Sequence, residues 1–129
     1  MLYQDNVLKE NWIVEKGELY VTGPRPGQSI RRSNVEISLV IWPEKRTETT
    51  KRYLMAPITM DVTGKEQGMD IVIRSGKDIG RPFTVMLSEL RLFSDTQLLR
   101  YVGRVSPETT AVVTEKVKQL FAQYCNKNA

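Results

Sequence analysis

The chain has 129 residues, 40% hydrophobic and 26% charged, with a net charge of +4, one cysteine and no histidine. That length supports one core without disulfides, and no apolar run reaches the ~18–20 residues of a membrane helix. Cys125, lying alone near the C-terminus, excludes an internal disulfide, and one thiol without histidine argues against a structural zinc site.

Residues 1–16 hold a small apolar knot, Trp12-Ile13-Val14, that fits either a helical turn or an edge strand. Asp5, Lys9 and Glu10 interrupt this stretch before a secretory apolar core forms, so a reduced, cytoplasmic setting is expected. Gly17 to Val21 alternates polar and apolar residues as a half-buried strand does. Thr22 to Asn34 is too rich in glycine, proline and short polar residues to sustain a ladder and reads as a loop. Ile37 to Trp42 is a β-branched run stopped by Pro43, which suits a buried strand. A charged turn follows at 44–52, then a strand from Tyr53 to Ile58, in which Pro57 requires an edge or a bulge. Further strands are expected at 69–73 and from Val85 to Leu87, the latter continued or bent around Leu90 to Phe93.

Ser94, with Gln97 three residues on, has the form of a capping box, and Leu98, Leu99 and Val102 would line a short helix ended by Gly103. Ser106-Pro107-Glu108 opens a second helix, with proline at the first helical position. Val112, Val113, Val117, Leu120, Phe121 and Tyr124 recur at helical spacing as its apolar face. The chain therefore reads as a single domain over 1–129: an N-terminal extension (1–16), a small, strongly bent β-barrel (17–93), and a short helix plus a C-terminal helix (94–125).

The charge is localised. Between Arg25 and Arg52 there are seven basic residues (Arg25, Arg31, Arg32, Lys45, Arg46, Lys51, Arg52) against three acids (Glu36, Glu44, Glu48), so this window carries the whole excess. Such a patch suits a polyanion, whose counterions it releases, although solvated loops with a chance surplus have the same composition. Arg31 and Arg32, in a Gly/Pro-rich loop, are placed for ligand contact. Arg91 fits a structural ion pair with Glu89 or Asp95 as well as a functional role, and Thr59 fits a strand end beside Asp61. Trp42, Tyr53 and Phe93 adjoin apolar runs and are better read as core than as base-stacking residues.

Several of these segments resemble, in the same order, the MazF/PemK family of toxin ribonucleases from bacterial toxin–antitoxin pairs. Gly17-Glu18-Leu19-Tyr20-Val21 is similar to its opening strand, and the loop through Gly27-Gln28 and Arg31-Arg32 to its first long loop. Leu39-Val40-Ile41 and Met55-Ala56-Pro57-Ile58-Thr59 resemble its next two strands, and Val102-Gly103-Arg104-Val105-Ser106-Pro107-Glu108 its entry to the last helix. The resemblance implies an SH3-like barrel with a C-terminal helix, a homodimer, and metal-independent cleavage of single-stranded RNA with no cofactor. It also implies a cognate antitoxin that lays a disordered acidic tail across the basic groove. On this reading the catalytic candidates are Arg31, Arg32, Thr59 and Glu36, and the RNA-binding candidates are Arg25, Gln28, Ser88, Arg91, Lys51 and Arg52. Without histidine the base is a carboxylate or an atypical group, and Glu36 is the nearest carboxylate. Glu36-Ile37 stands where the family carries Arg-Pro, and Met86 and Ser88 stand where PemK-type members carry arginine and aspartate. Two alternatives therefore stay open: a catalytically inactive relative that binds RNA or protein, and a gyrase-poisoning toxin of the CcdB type. The latter type relies on a tryptophan near the C-terminus, which this chain lacks.

Overall fold

The computed structural model describes residues 12–25, 27–43, 51–63 and 68–127. Residues 1–11 of the expected N-terminal extension, most of the charged turn at 44–52, and the side chain of Tyr124 lie outside the described residues.

Among the described residues seven strands form one antiparallel sheet: β1 (Glu18–Thr22), β2 (Glu36–Pro43), β3 (Arg52–Thr59), β4 (Ile71–Ile73), β5 (Phe83–Val85), β6 (Arg91–Ser94) and β7 (Leu98–Arg104). One α-helix among the described residues, α1 (Pro107–Lys127), follows β7. The strand order is β4-β5-β3-β2-β1-β7, with β6 also paired to β3. β3 thus holds two partners along one edge, β6 at Arg52 to Met55 and β5 at Ile58 and Thr59. Pro57 lies between those two ladders, its carbonyl accepting the Met86 N–H at 2.8 Å. A central strand tolerates proline there because the missing N–H faces a gap in the pairing.

The sheet is strongly bent but not closed, since no ladder joins β6 to β7. Its two faces carry separate cores. Toward α1 lie Leu19, Leu39, Ile41, Ala56, Ile58, Phe83, Val85, Val113 and Val117. The other face curls around Tyr20, Val40, Tyr53, Met55, Phe93 and Leu98. Burial on both sides explains why β1 is buried at four of its five positions instead of alternating. A bulge at Ile41 directs both Ile41 and Trp42 toward the helix face. There Trp42 stacks on Phe121, ring centroids 6.4 Å apart at 13°. Trp42 is therefore engaged on the helix face, and Tyr53 and Phe93 are core.

The short helix expected over 97–102 is not formed. Gln97 Oε1 does accept the Ser94 N–H at 3.1 Å, but the box closes only a 3₁₀ turn, Asp95–Gln97, and the chain continues directly as β7. The sheet accordingly extends to Arg104, beyond the expected boundary at residue 93. Pairing with β1 wins over local helical preference because it sets Tyr101 and Leu98 against Tyr20 and Thr22. Glycine is required at the start of β1. Gly17 has φ 88°, and a Cβ there would meet Thr110 Oγ1 at 2.7 Å.

α1 starts as its sequence predicts: Ser106 Oγ accepts the Thr109 N–H at 3.2 Å. Asp78 adds a second tie, accepting the Ser106 N–H at 2.9 Å and the Thr109 hydroxyl at 2.6 Å. A carboxylate at a helix N-terminus also favours the helix dipole. Asp78→Ala is expected to cost about 1–2 kcal/mol, read as a lower midpoint in urea at unchanged slope. Only part of the expected apolar helix face is buried: Val113 and Val117 are in the core, whereas Val112 and Phe121 are about half exposed.

Candidate functional site

Strand register assembles the site. Thr22 lies opposite Glu36, and Ile37 opposite Ile58, so Thr59 follows Ile58 one step along, level with Glu36. Thr59 in turn lies opposite Thr84. A row of short polar side chains and one carboxylate therefore crosses the curled face of the sheet at one end. Beneath it, Thr22 Oγ1 and Ser38 Oγ are 2.8 Å apart and buried, and Thr22 also donates to the Glu36 carbonyl at 3.2 Å. These bonds fix the backbone that carries Glu36.

Arg91 reaches this row from β6. Its guanidinium donates to Glu36 Oε1 at 3.3 Å and to the Glu89 carbonyl at 3.2 Å, and it lies 4.5 Å from the centre of the Phe93 ring. β6 and β2 are separated by β3, so this ion pair exists because the sheet bends. The carboxylate partner of Arg91 is thus Glu36, 55 residues away, and not its neighbours Glu89 or Asp95. Both side chains remain more than 40% exposed, so the pair contributes little to stability and is reachable by a ligand.

Around the pair lies a polar pocket of about 420 Å³, lined by Arg25, Gln28, Glu36, Arg91, Thr22 and Gln97 among others. That size suits a small ligand or part of a larger one. A second hollow of about 360 Å³ shares Gln28, Ser33 and Asn34 with it and adds Arg31. The loop is held by Asn34, whose Oδ1 accepts the Arg31 N–H at 2.8 Å and whose Nδ2 donates to the Ser29 carbonyl at 3.0 Å. Gln97 Nε2 ties its base to the Gly23 carbonyl at 3.4 Å. Among the described residues the Arg25, Arg31 and Arg32 guanidinium groups have no carboxylate partner.

The structure thus brings together Arg25, Gln28, Glu36 and Arg91, with Arg31 adjoining. Arg32 is exposed on the same loop, in the 3₁₀ turn Arg32–Asn34. Thr59 sits on the same row, but its hydroxyl accepts the Asp61 N–H at 3.2 Å, the strand-end role that its sequence also suggested. Ser88 lies in the turn Leu87–Glu89, its N–H bonded to Asp70 Oδ1 at 3.0 Å, and does not line the pocket. Lys51 and Arg52 are at the opposite end of β3, about 23 Å from Thr59 at strand spacing. Thr22, Ser38 and Gln97 escaped sequence reading as site residues; only the capping spacing of Gln97 singled it out.

The described residues hold no cluster of potential metal ligands, and no helix among them is long and apolar enough to cross a membrane. Residues 15–121 match the model of the PemK-like, MazF-like toxins of type II toxin–antitoxin systems, and the chain belongs to that family. The antiparallel sheet with one C-terminal helix is consistent with its fold. No curated protein matches the chain.

Proposed function

We propose that this PemK-like, MazF-like toxin chain is an endoribonuclease that cuts single-stranded RNA without a metal, working at the Glu36–Arg91 pair. The observation that supports it is the juxtaposition of a carboxylate and a guanidinium at 3.3 Å in a pocket also lined by Arg25 and Gln28. Metal-free cleavage uses the 2′-hydroxyl of the RNA as nucleophile. Its oxygen attacks the adjacent phosphorus as the 5′-oxygen leaves, so the protein has to accept one proton, return one, and stabilise charge on the phosphoryl oxygens. Glu36 accepts the proton, and its conjugate acid returns one to the departing 5′-oxygen. Arg91, planar and always ionised, pairs with the phosphoryl oxygens as it now pairs with the carboxylate. Arg25, Arg31 and Arg32 hold flanking phosphates, Gln28 contacts a base, and Thr59 donates to a phosphate oxygen. Ser88, Lys51 and Arg52 meet only RNA that runs further along the sheet.

Family membership implies an antitoxin partner. An acidic tail of that partner, folding as it binds, would cover the same loop and pocket. The chain acts in the cytoplasm as a homodimer, each copy one domain.

Salt-dependent binding separates the two groups of cations. Arg25→Ala, Arg31→Ala or Arg32→Ala is expected to reduce the slope of log affinity against log salt by about 1 each on a short oligoribonucleotide. Lys51→Ala and Arg52→Ala are expected to do so only on a longer one. Equal effects of all five on the short RNA would move the binding surface away from the pocket.

A further inference from the structure

Gln97 stands between the strand that carries Arg91 and the root of the basic loop. It ends the 3₁₀ turn Asp95–Gln97 that follows β6, and it lines the Glu36–Arg91 pocket. Its amide is held from both sides. Oε1 accepts the Ser94 N–H at 3.1 Å and the Ser94 hydroxyl at 3.4 Å, while Nε2 donates to the Gly23 carbonyl at 3.4 Å. A backbone N–H only donates and a backbone carbonyl only accepts, so these partners fix which end of the amide is oxygen. The main chain repeats the tie, the Gly23 N–H donating to the Gln97 carbonyl at 2.8 Å. A Cβ on Gly23 would meet Leu99 Cδ1 at 2.7 Å, so the loop root runs close against β7.

An amide nitrogen carries two hydrogens, and the Gly23 carbonyl takes one of them. Among the described residues no acceptor takes the other. Gln97 therefore offers the pocket a donor, its oxygen being already occupied. Gln28 differs, because its exposed side chain makes no hydrogen bond among the described residues and can present either end. Thr22 lies opposite both Glu36 and Leu98, the residue after Gln97. Gln97 is thus two strand spacings, about 10 Å, across the sheet from Glu36. Arg25 and Arg91 serve phosphate in the same pocket, whereas a neutral amide of fixed orientation suits the edge of a base. We infer that Gln97 is a specificity-determining residue whose remaining Nε2–H donates to the carbonyl oxygen of a keto base, uracil or guanine, next to the scissile phosphate. The inference rests on the RNA reading above.

The donor discriminates because the two kinds of base differ where it binds. Uracil and guanine carry a carbonyl oxygen at the position where cytosine and adenine carry an amino group. An amino group set against the Nε2–H leaves two donors facing each other. The amide cannot turn over to relieve them. A flip would set nitrogen against the Ser94 N–H and oxygen against the Gly23 carbonyl, two mismatches in place of two bonds. A site whose hydrogen-bonding group is held in one orientation rejects the mismatched partner for that reason.

The test measures binding of short 2′-O-methyl oligouridylate and oligocytidylate, which lack the nucleophile and so bind without being cut, to the wild type, Gln97→Met and Gln97→Glu. The wild type is expected to prefer the oligouridylate about tenfold, and Gln97→Met, which has no donor, to bind the two alike. Gln97→Glu keeps an oxygen for the Ser94 N–H and turns the donor into an acceptor, so its preference is expected to move toward oligocytidylate. Loss of affinity for both oligomers in equal measure, as a purely structural cap would give, leaves the preference of the wild type in place. That result, or a wild type that binds the two alike, would overturn the role of Gln97 and leave the RNA reading standing. Binding of neither oligomer by the wild type, together with no cleavage of a long single-stranded RNA, would overturn both.

Discussion

Arg91→Ala is expected to lower the rate of RNA cleavage by about two to three orders of magnitude while leaving the fold intact. The loss has two parts. The guanidinium that would stabilise charge on the phosphoryl oxygens is gone, and the Glu36 carboxylate, now unpaired, faces the phosphate and repels it. Because the side chain is 45% exposed, its removal should change stability by no more than about 1 kcal/mol. Arg91→Lys restores the charge but not the planar fork, so it should recover only part of the rate. Single-turnover cleavage with saturating protein reads the chemical step apart from binding. Wild-type rates in Arg91→Ala would leave Arg91 a purely structural residue, tying β6 to β2 and to the Glu89 carbonyl.

The largest expected effect on stability is at Phe83. Its side chain is fully buried in the core between sheet and helix, in register opposite Ile73 and in one cluster with Val85, Val113 and Val117. Phe83→Ala removes an aromatic ring from a site walled by strands on one side and α1 on the other, where collapse is restricted. A cost of about 3–5 kcal/mol is expected. Set against the roughly 5–15 kcal/mol that stabilises a domain of this kind, that is a third or more of the total. Equilibrium unfolding in urea should show a midpoint far below that of the wild type. A change under ~1 kcal/mol would mean that β5 is not packed against the helix as described.

Where sequence and structure agree, the cause is local. Ser106-Pro107 starts α1, because proline geometry and side-chain caps act within a few residues. Ser94 and Gln97 illustrate the opposite case. Their capping box is real, yet the strand Leu98–Arg104 takes the place of the helix that the box predicts, because the edge of β1 supplies a ladder that no local signal announces. The site has the same character. Arg25 and Arg31 were legible from loop composition and charge, and Gln28 only from the family resemblance. The pairing of Arg91 with Glu36 was not, since it depends on the register of three strands and the bend that carries β6 toward β2. The Thr22–Ser38 bond that supports Glu36 is invisible for the same reason.

The Glu36–Arg91 account is tested most directly by incubating a long single-stranded RNA with the protein in EDTA, wild type beside Glu36→Gln, and mapping the product ends. Discrete fragments ending in a 2′,3′-cyclic phosphate from the wild type, and none from Glu36→Gln, are the expected result. RNA left intact by the wild type at high protein concentration, or cut equally well by Glu36→Gln, would contradict the account.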